Sequence, residues 1–300
     1  MRAPGEHSRF VRHRPEHLHL EIDLDELAKV LALEPLPAEP RRRLVGPHDL
    51  HVFEQLRRLR ITRSPQALPA DYFVLATGEA PHRAMTQLGG APFLPASMPW
   101  PQREGTVGDF YAQLSFVDST DLLPDLPGDV LLVFRFHDLD HRTSWDEELY
   151  GFVWVEATER RLIDPRDVQR SKAGAAHDPW PALHGYRVRT FDDPSQTERL
   201  LEHAPDDVFL LNGEVTKVGG AATDCQSIWP PKVPTEHRFL GQIAAVWPAV
   251  GAPFPVVDRA RPLRGHGDPD FQRLVSGPGS GVTCLYLNAR GDVHVHFSGS

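Results

Sequence analysis

Two stretches of this chain repeat the same rare residues in the same order, and this limits the fold more than any other feature. Residues 88–118 (LGGAPFLPASMPWPQREGTVGDFYAQLSFVD) match residues 218–248 (VGGAATDCQSIWPPKVPTEHRFLGQIAAVWP). Gly89 and Gly90 align with Gly219 and Gly220, Trp100 with Trp229, Phe110 with Phe239, and Gln113 with Gln242. The tryptophan-to-glutamine spacing is thirteen residues in both copies. A glycine-opened apolar run follows each, GDVLLVF at Gly128 and GVTCLYL at Gly281. A β unit of half this chain's size has an apolar sheet face that it cannot cover alone, and two copies can cover each other about a pseudo-twofold axis.

The remaining apolar runs are short and end in Gly, Pro, Asp or Asn, which predicts strands: VLLVFRF from Val130, GFVWVE from Gly151, VFLLN from Val208, FLGQIAAVW from Phe239, VTCLYL from Val282 and VHVHF from Val293. NARGD joins the last two as a hairpin loop in which Gly291 is free to take positive φ. Helices are predicted where capping boxes precede apolar periodicity, at Asp23 with Glu26 and at Ser195 with Glu198, and another opens at Pro47. The 29 prolines and 23 glycines favour many short elements. The predicted fold is therefore α+β and β-rich: an internally duplicated β roll with a pseudo-twofold repeat and a short helical N-terminal appendage. Residues 1–71 form the appendage and linkers. Residues 72–300 form the body, with repeats at about 72–165 and 205–300 joined by a helical connector.

Composition removes several function classes. A net charge of −9 argues against coating nucleic acid, which needs concentrated Lys and Arg on one surface. The arginines at 41–43, 57, 58, 60 and 63 read as solvated helix faces. No apolar stretch is long enough for a signal-peptide core or a membrane span, and the two cysteines, Cys225 and Cys284, supply neither a disulfide framework nor zinc-ligand spacing. A reducing cytoplasm is the expected location. No cofactor is predicted.

The duplicated motif also supplies the candidate binding residues: Gly89, Gly90, Trp100, Gln113, Lys217, Gly219, Gly220, Gln226, Trp229 and Gln242. The glycines suit a turn closed to side chains, the tryptophans would lock it onto the core, and an amide inside an apolar strand must find partners in the backbone or in a ligand. Lys217 beside two glycines could meet an anion, although a lysine there more often marks an exposed strand end. Chemistry has weaker candidates. His137, Asp138 and His141 lie in a polar stretch after a strand, where imidazole and carboxylate could hold a metal, but their spacing fits no established ligand set. His294 and His296 share one strand face. His141-Arg142-Thr143 and His296-Phe297-Ser298 both fit His-x-Ser/Thr, the pattern by which a duplicated phosphoesterase would place an acid and a base.

Gly-Gly-x-Pro-x-Leu-Pro from Gly89, Trp100-Pro101, the Ala-Gln-Leu strand at Ala112, and Lys-x-Gly-Gly at Lys217 with Gln226 further on together resemble the YwqG-like proteins, a bacterial group of uncharacterised function. The resemblance covers about residues 72–300. It implies a β-rich roll with an internal repeat in a cytoplasmic bacterial protein and brings no catalytic residues. Relatives look as though they occur near toxin and immunity genes, which implies an immunity-type role. The leading expectation is a non-enzymatic binding protein whose partner, a protein or a small molecule, meets a face or groove between the repeats. The alternative is a hydrolase, phosphoesterase-like or metal-assisted, using the regions of His141 and His296.

Overall fold

The computed structural model of the chain describes residues 11–12, 16–19, 21–22, 65, 67–77, 80, 82–136, 149–171, 182–192, 216–222, 236–244 and 281–299. Their strands, in chain order, are β1 (Val11–Arg12), β2 (Glu21–Ile22), β3 (Leu68–Thr77), β4 (Gln87–Leu88), β5 (Gln102–Arg103), β6 (Thr106–Val107), β7 (Asp109–Ser115), β8 (Val130–Arg135), β9 (Tyr150–Val155), β10 (Leu183–Asp192), β11 (Thr216–Gly219), β12 (Arg238–Ala244), β13 (Gly281–Leu287) and β14 (Val293–Gly299). Helical structure among the described residues amounts to 3-10 turns at Val117–Ser119 and Pro165–Asp167 and the single 3-10 residue Leu149. The protein is thus strongly β-rich. The helices expected after Asp23, from Pro47 and from Ser195 lie outside the described residues, as does the run from Val208. Glu21 and Ile22 are strand, because Glu21 pairs with Arg187 of β10.

The main sheet runs β14-β13-β12-β11-β3-β10-β4-β7-β8-β9. At its centre β3 and β10 pair antiparallel along their whole length. One arm, β4-β7-β8-β9, leaves from β10, and the other, β11-β12-β13-β14, leaves from β3. Because β3 leads into β4 along the chain and β10 leads towards β11, each arm is hydrogen-bonded to the strand that introduces the other.

The ladders of the two arms match. In β7–β8 the register shifts between Phe110 and Ala112, and in β12–β13 it shifts between Phe239 and Gly241. A buried threonine opens each arm in the same way: Thr86 Oγ1 accepts the Ser115 N–H at 3.1 Å, and Thr216 Oγ1 accepts the Ala244 N–H at 3.1 Å. Glycine is required at the turns that follow. Gly90 and Gly220 have φ of +71° and +72°; a Cβ on Gly90 would lie 2.7 Å from the Ala182 Cβ, and one on Gly220 would lie 2.0 Å from Asp192 Oδ2.

Alternation along the strands sends one set of side chains to an inner core and the other to outer cores. The inner core contains Tyr111, Leu114, Leu131 and Val133 of one arm together with Leu240, Ile243, Leu285 and Leu287 of the other. The two ends of the sheet, β9 and β14, bring Phe152, Trp154, Val293 and Val295 to that same core. The sheet is therefore curled into a nearly closed, barrel-like roll. An outer core over the first arm gathers Phe93, Leu94, Trp100, Phe110, Leu132 and Phe134.

A short N-terminal segment closes a gap in the sheet. Strand β4 covers only Leu183 and His184 of β10, and β2 pairs with β10 further along, at Arg187. Arg187 donates to Glu21 and, at 2.7 Å, to His17 Nδ1. The backbone N–H groups of Leu18 and His19 donate to the Asp118 carboxylate at 2.8 and 2.7 Å. His19 is fully buried; its Nε2 accepts the Thr86 N–H at 2.9 Å, so Nδ1 carries the proton and donates to Asp118 at 2.8 Å.

This arrangement gives the protein a pH dependence. Burial lowers the pKa of His19 below 6.5, only partly offset by Asp118, with Arg187 and Asp71 also acting on the ring. Burial alone would raise Asp118, but the hydrogen bonds from His19 and Leu18 bring it down to about 2. Stability from His19 is present above pH 6.5 and is lost as pH falls through and below that value, because the unfolded chain takes up a proton there that the folded chain does not. Stability from Asp118 is lost lower, between its ordinary 3.8 and about 2. The midpoint of thermal unfolding therefore falls on acidification from about pH 6.5, with a shallower slope in His19→Gln. Equal slopes in the two proteins would refute the assignment.

Candidate functional site

At the second glycine turn, Lys217 of β11 is 4% exposed, and its Nζ donates to Asp192 Oδ2 at 2.6 Å. The Tyr72 hydroxyl donates to Asp192 Oδ1, and the Ala221 N–H donates to Oδ2 at 2.8 Å. Burial first, and then the Asp192 charge, push the Tyr72 pKa well above its usual 10. Lys217 is therefore not an exposed strand end. The anion beside Gly219 and Gly220 is the protein's own Asp192, and the Gly220 N–H donates to Pro69 O at 3.0 Å. Asp192 and Tyr72 sit far from Lys217 in sequence and emerge as its partners only once β3, β10 and β11 are aligned.

The first copy is organised differently. Gln113 is fully buried on β7; its Nε2 donates to the Arg83 and Met85 carbonyls at 2.7 and 2.6 Å, and its Oε1 accepts the Phe93 N–H at 2.9 Å. Its amide holds the loop that contains Gly89 and Gly90. Trp100 donates from Nε1 to Gly108 O at 2.7 Å and packs edge-on against Phe134 at 5.4 Å. Both residues belong to the outer side of the first arm. Lys217, Gln242, Cys284 and His296 are instead successive neighbours across the second arm. Of the ten candidate binding residues, those described fall into two groups, on the arms either side of β3 and β10 in the sheet order, and Gln226 and Trp229 lie outside the described residues.

His294 and His296 share a face of β14, as the two-residue spacing requires, and His294 stacks on His237 with ring centroids 4.5 Å apart. His137, Asp138 and His141 lie outside the described residues. The connection carrying them leaves the sheet at Phe136 and returns at Leu149, whose O accepts the Phe136 N–H at 2.8 Å. Among the described residues no group of three or more His, Cys, Asp or Glu side chains is placed to hold a metal.

The same end of the inner face carries a polar cluster that the sequence did not single out. Arg135 and Tyr150 are directly paired across β8 and β9, and Tyr111 lies beside them with its ring centroid 6.4 Å from that of Tyr150. Thr283, from the other arm, hydrogen-bonds the Tyr111 side chain, so the cluster spans the closure of the roll. Burial raises the Tyr111 pKa above its usual 10, and nearby Tyr150 raises it further, while Arg135 and Thr283 act the other way. The Tyr150 hydroxyl and Arg135 Nε are buried, with no hydrogen-bond partner among the described residues. Each such group costs about 1–3 kcal/mol in desolvation. Asp109, opposite Arg135 in the β7–β8 ladder, is turned to Ser171, accepting from its N–H at 2.8 Å and its hydroxyl at 2.5 Å.

Fold and cluster together define a rolled β-sheet protein with a polar cluster where the arms meet. Residues 86–227 match a family model described as a domain of unknown function, DUF1963, the family that contains the YwqG-like proteins. The match begins at the Thr86 hydrogen-bonded to Ser115, takes in β4 to β11, and ends before β12. No curated protein matches the sequence. Among the described residues no helix is long and apolar enough to cross a membrane.

Proposed function

We propose that this is a YwqG-like, non-enzymatic binding protein, built from a duplicated β unit, whose ligand enters the polar mouth between the two arms. The observation that carries the reading is the buried, unpartnered hydroxyl of Tyr150 next to Arg135, in a cluster bridged to the other arm by Tyr111 and Thr283. Polar groups buried without partners destabilise a fold, and a bound ligand is one source of the missing partner. Duplication is supported by the two threonine-to-backbone bonds, the paired left-handed glycines and the register shifts at matching positions. The immunity-type form of this reading has a protein segment as the occupant of the mouth.

The test uses the full-length chain. It is dialysed against a pool of small metabolites, recovered and weighed by native mass spectrometry, and amide exchange is compared with and without the pool. A bound species that slows exchange in β8, β9 and β13 is the expected result. Exchange in those strands that no component of the pool alters would overturn the small-ligand reading.

A further inference from the structure

The matching ladders allow each residue of one arm to be compared with its counterpart in the other. Arg135 faces Tyr150 in β8–β9, and the counterpart pair in β13–β14 is Leu287 facing Val293. Tyr111 is the extra residue at the register shift in β7, and its counterpart in β12 is Leu240. The same backbone positions are thus filled with hydrocarbon in one arm and with a guanidinium and two phenols in the other. The fold does not demand polar groups here, since Leu240 and Leu287 pack in the inner core. The polar set instead leaves a hydroxyl and a guanidinium N–H buried without partners among the described residues.

A guanidinium without a carboxylate partner among the described residues presents a planar fork of donors suited to two oxygens of one group. Arg135 is the part-exposed member of the cluster, whereas Tyr150, Tyr111 and Thr283 are nearly inaccessible. A ligand would therefore meet Arg135 first and Tyr150 second. From this asymmetry we infer that the mouth binds a small molecule through a carboxylate or phosphate group, with Arg135 making the two-pronged contact and the Tyr150 hydroxyl donating to the same oxyanion. The inference rests on the binding reading above and adds the chemical class of the ligand.

Inorganic phosphate and succinate, each titrated calorimetrically into the full-length chain in a chloride buffer, probe the two sources of such a group. Saturable one-to-one binding of either supports the inference, and whichever binds identifies the group. Arg135→Leu places at this position the residue that the other arm already carries at Leu287. It is expected to unfold no earlier than the parent and to bind at least about tenfold more weakly, the loss of a charge-assisted pair. Tyr150→Phe keeps the ring, removes the hydroxyl and weakens binding by a smaller factor, so the test survives if Arg135→Leu fails to fold. Saturation by neither anion, or parental affinity in both variants, overturns the inference. A neutral metabolite that protects β8 and β9 while neither anion binds overturns it and leaves the binding reading standing.

Discussion

Trp100→Ala lowers the stability of the protein by about 3–5 kcal/mol, the range for truncating a large buried aromatic. Trp100 is 8% exposed and sits in the outer core of the first arm with Phe93, Leu94, Phe110 and Phe134. Its loss opens a cavity there and leaves the Gly108 carbonyl without the indole N–H that it accepts at 2.7 Å. Chemical denaturation of parent and variant checks this. A midpoint unchanged in Trp100→Ala would mean that the indole is not a core element.

Asp192→Ala has an effect of similar size, about 3–5 kcal/mol, because removing one member of a buried ion pair strands the other. The variant removes the carboxylate that receives Lys217, the Tyr72 hydroxyl and the Ala221 N–H together. The double variant Asp192→Leu with Lys217→Met takes away both charges and is expected to be more stable than Asp192→Ala alone, since apolar replacements of buried pairs are well tolerated. A double variant no more stable than the single one would show that the cost arises from something other than the stranded ammonium. These measurements also separate scaffold from site: the account places Lys217 and its glycine turn in the scaffold, so the double variant should retain whatever binds at Arg135.

The outer strands of both arms are legible in the sequence because each is a short, β-branched and aromatic-rich run bounded by turn residues, from VLLVFRF at Val130 to VHVHF at Val293. The hairpin loop NARGD is likewise legible, with Gly291 at φ +88° and Asn288 Oδ1 accepting from the N–H groups of Arg290 and Asp292. The central strands β3 and β10 are harder to see. Asp71, Arg187 and Arg189 alternate with apolar residues and read as surface, yet Asp71 is fully buried, receives Arg189 at 2.6 and 3.0 Å, and accepts from the Ser119 hydroxyl at 2.6 Å. Charges that satisfy each other across strands imitate a solvated face when only one strand is read. Thr86 and Thr216 could have been found, since Thr-x-Leu/Val-Gly-Gly occurs in both copies.

The mouth was hidden for a related reason. An arginine at a strand end ordinarily means a solvated charge. Only comparison of the two registers, in which Arg135 pairs with Tyr150 where the other arm pairs Leu287 with Val293, marks the polar residues as the departure. The glutamines illustrate the reverse: Gln113 stands out in the sequence as an amide in an apolar strand, and the structure gives it three backbone partners that explain it.

The most direct test of the central claim is a crystal structure of the full-length chain grown with whichever anion, phosphate or succinate, binds in calorimetry. The account predicts oxyanion density within hydrogen-bond distance of the Arg135 guanidinium and the Tyr150 hydroxyl, with Thr283 of the opposite arm still bonded to Tyr111. A mouth packed shut by the protein's own side chains, with a carboxylate of the chain on Arg135 and the anion bound elsewhere, would contradict it.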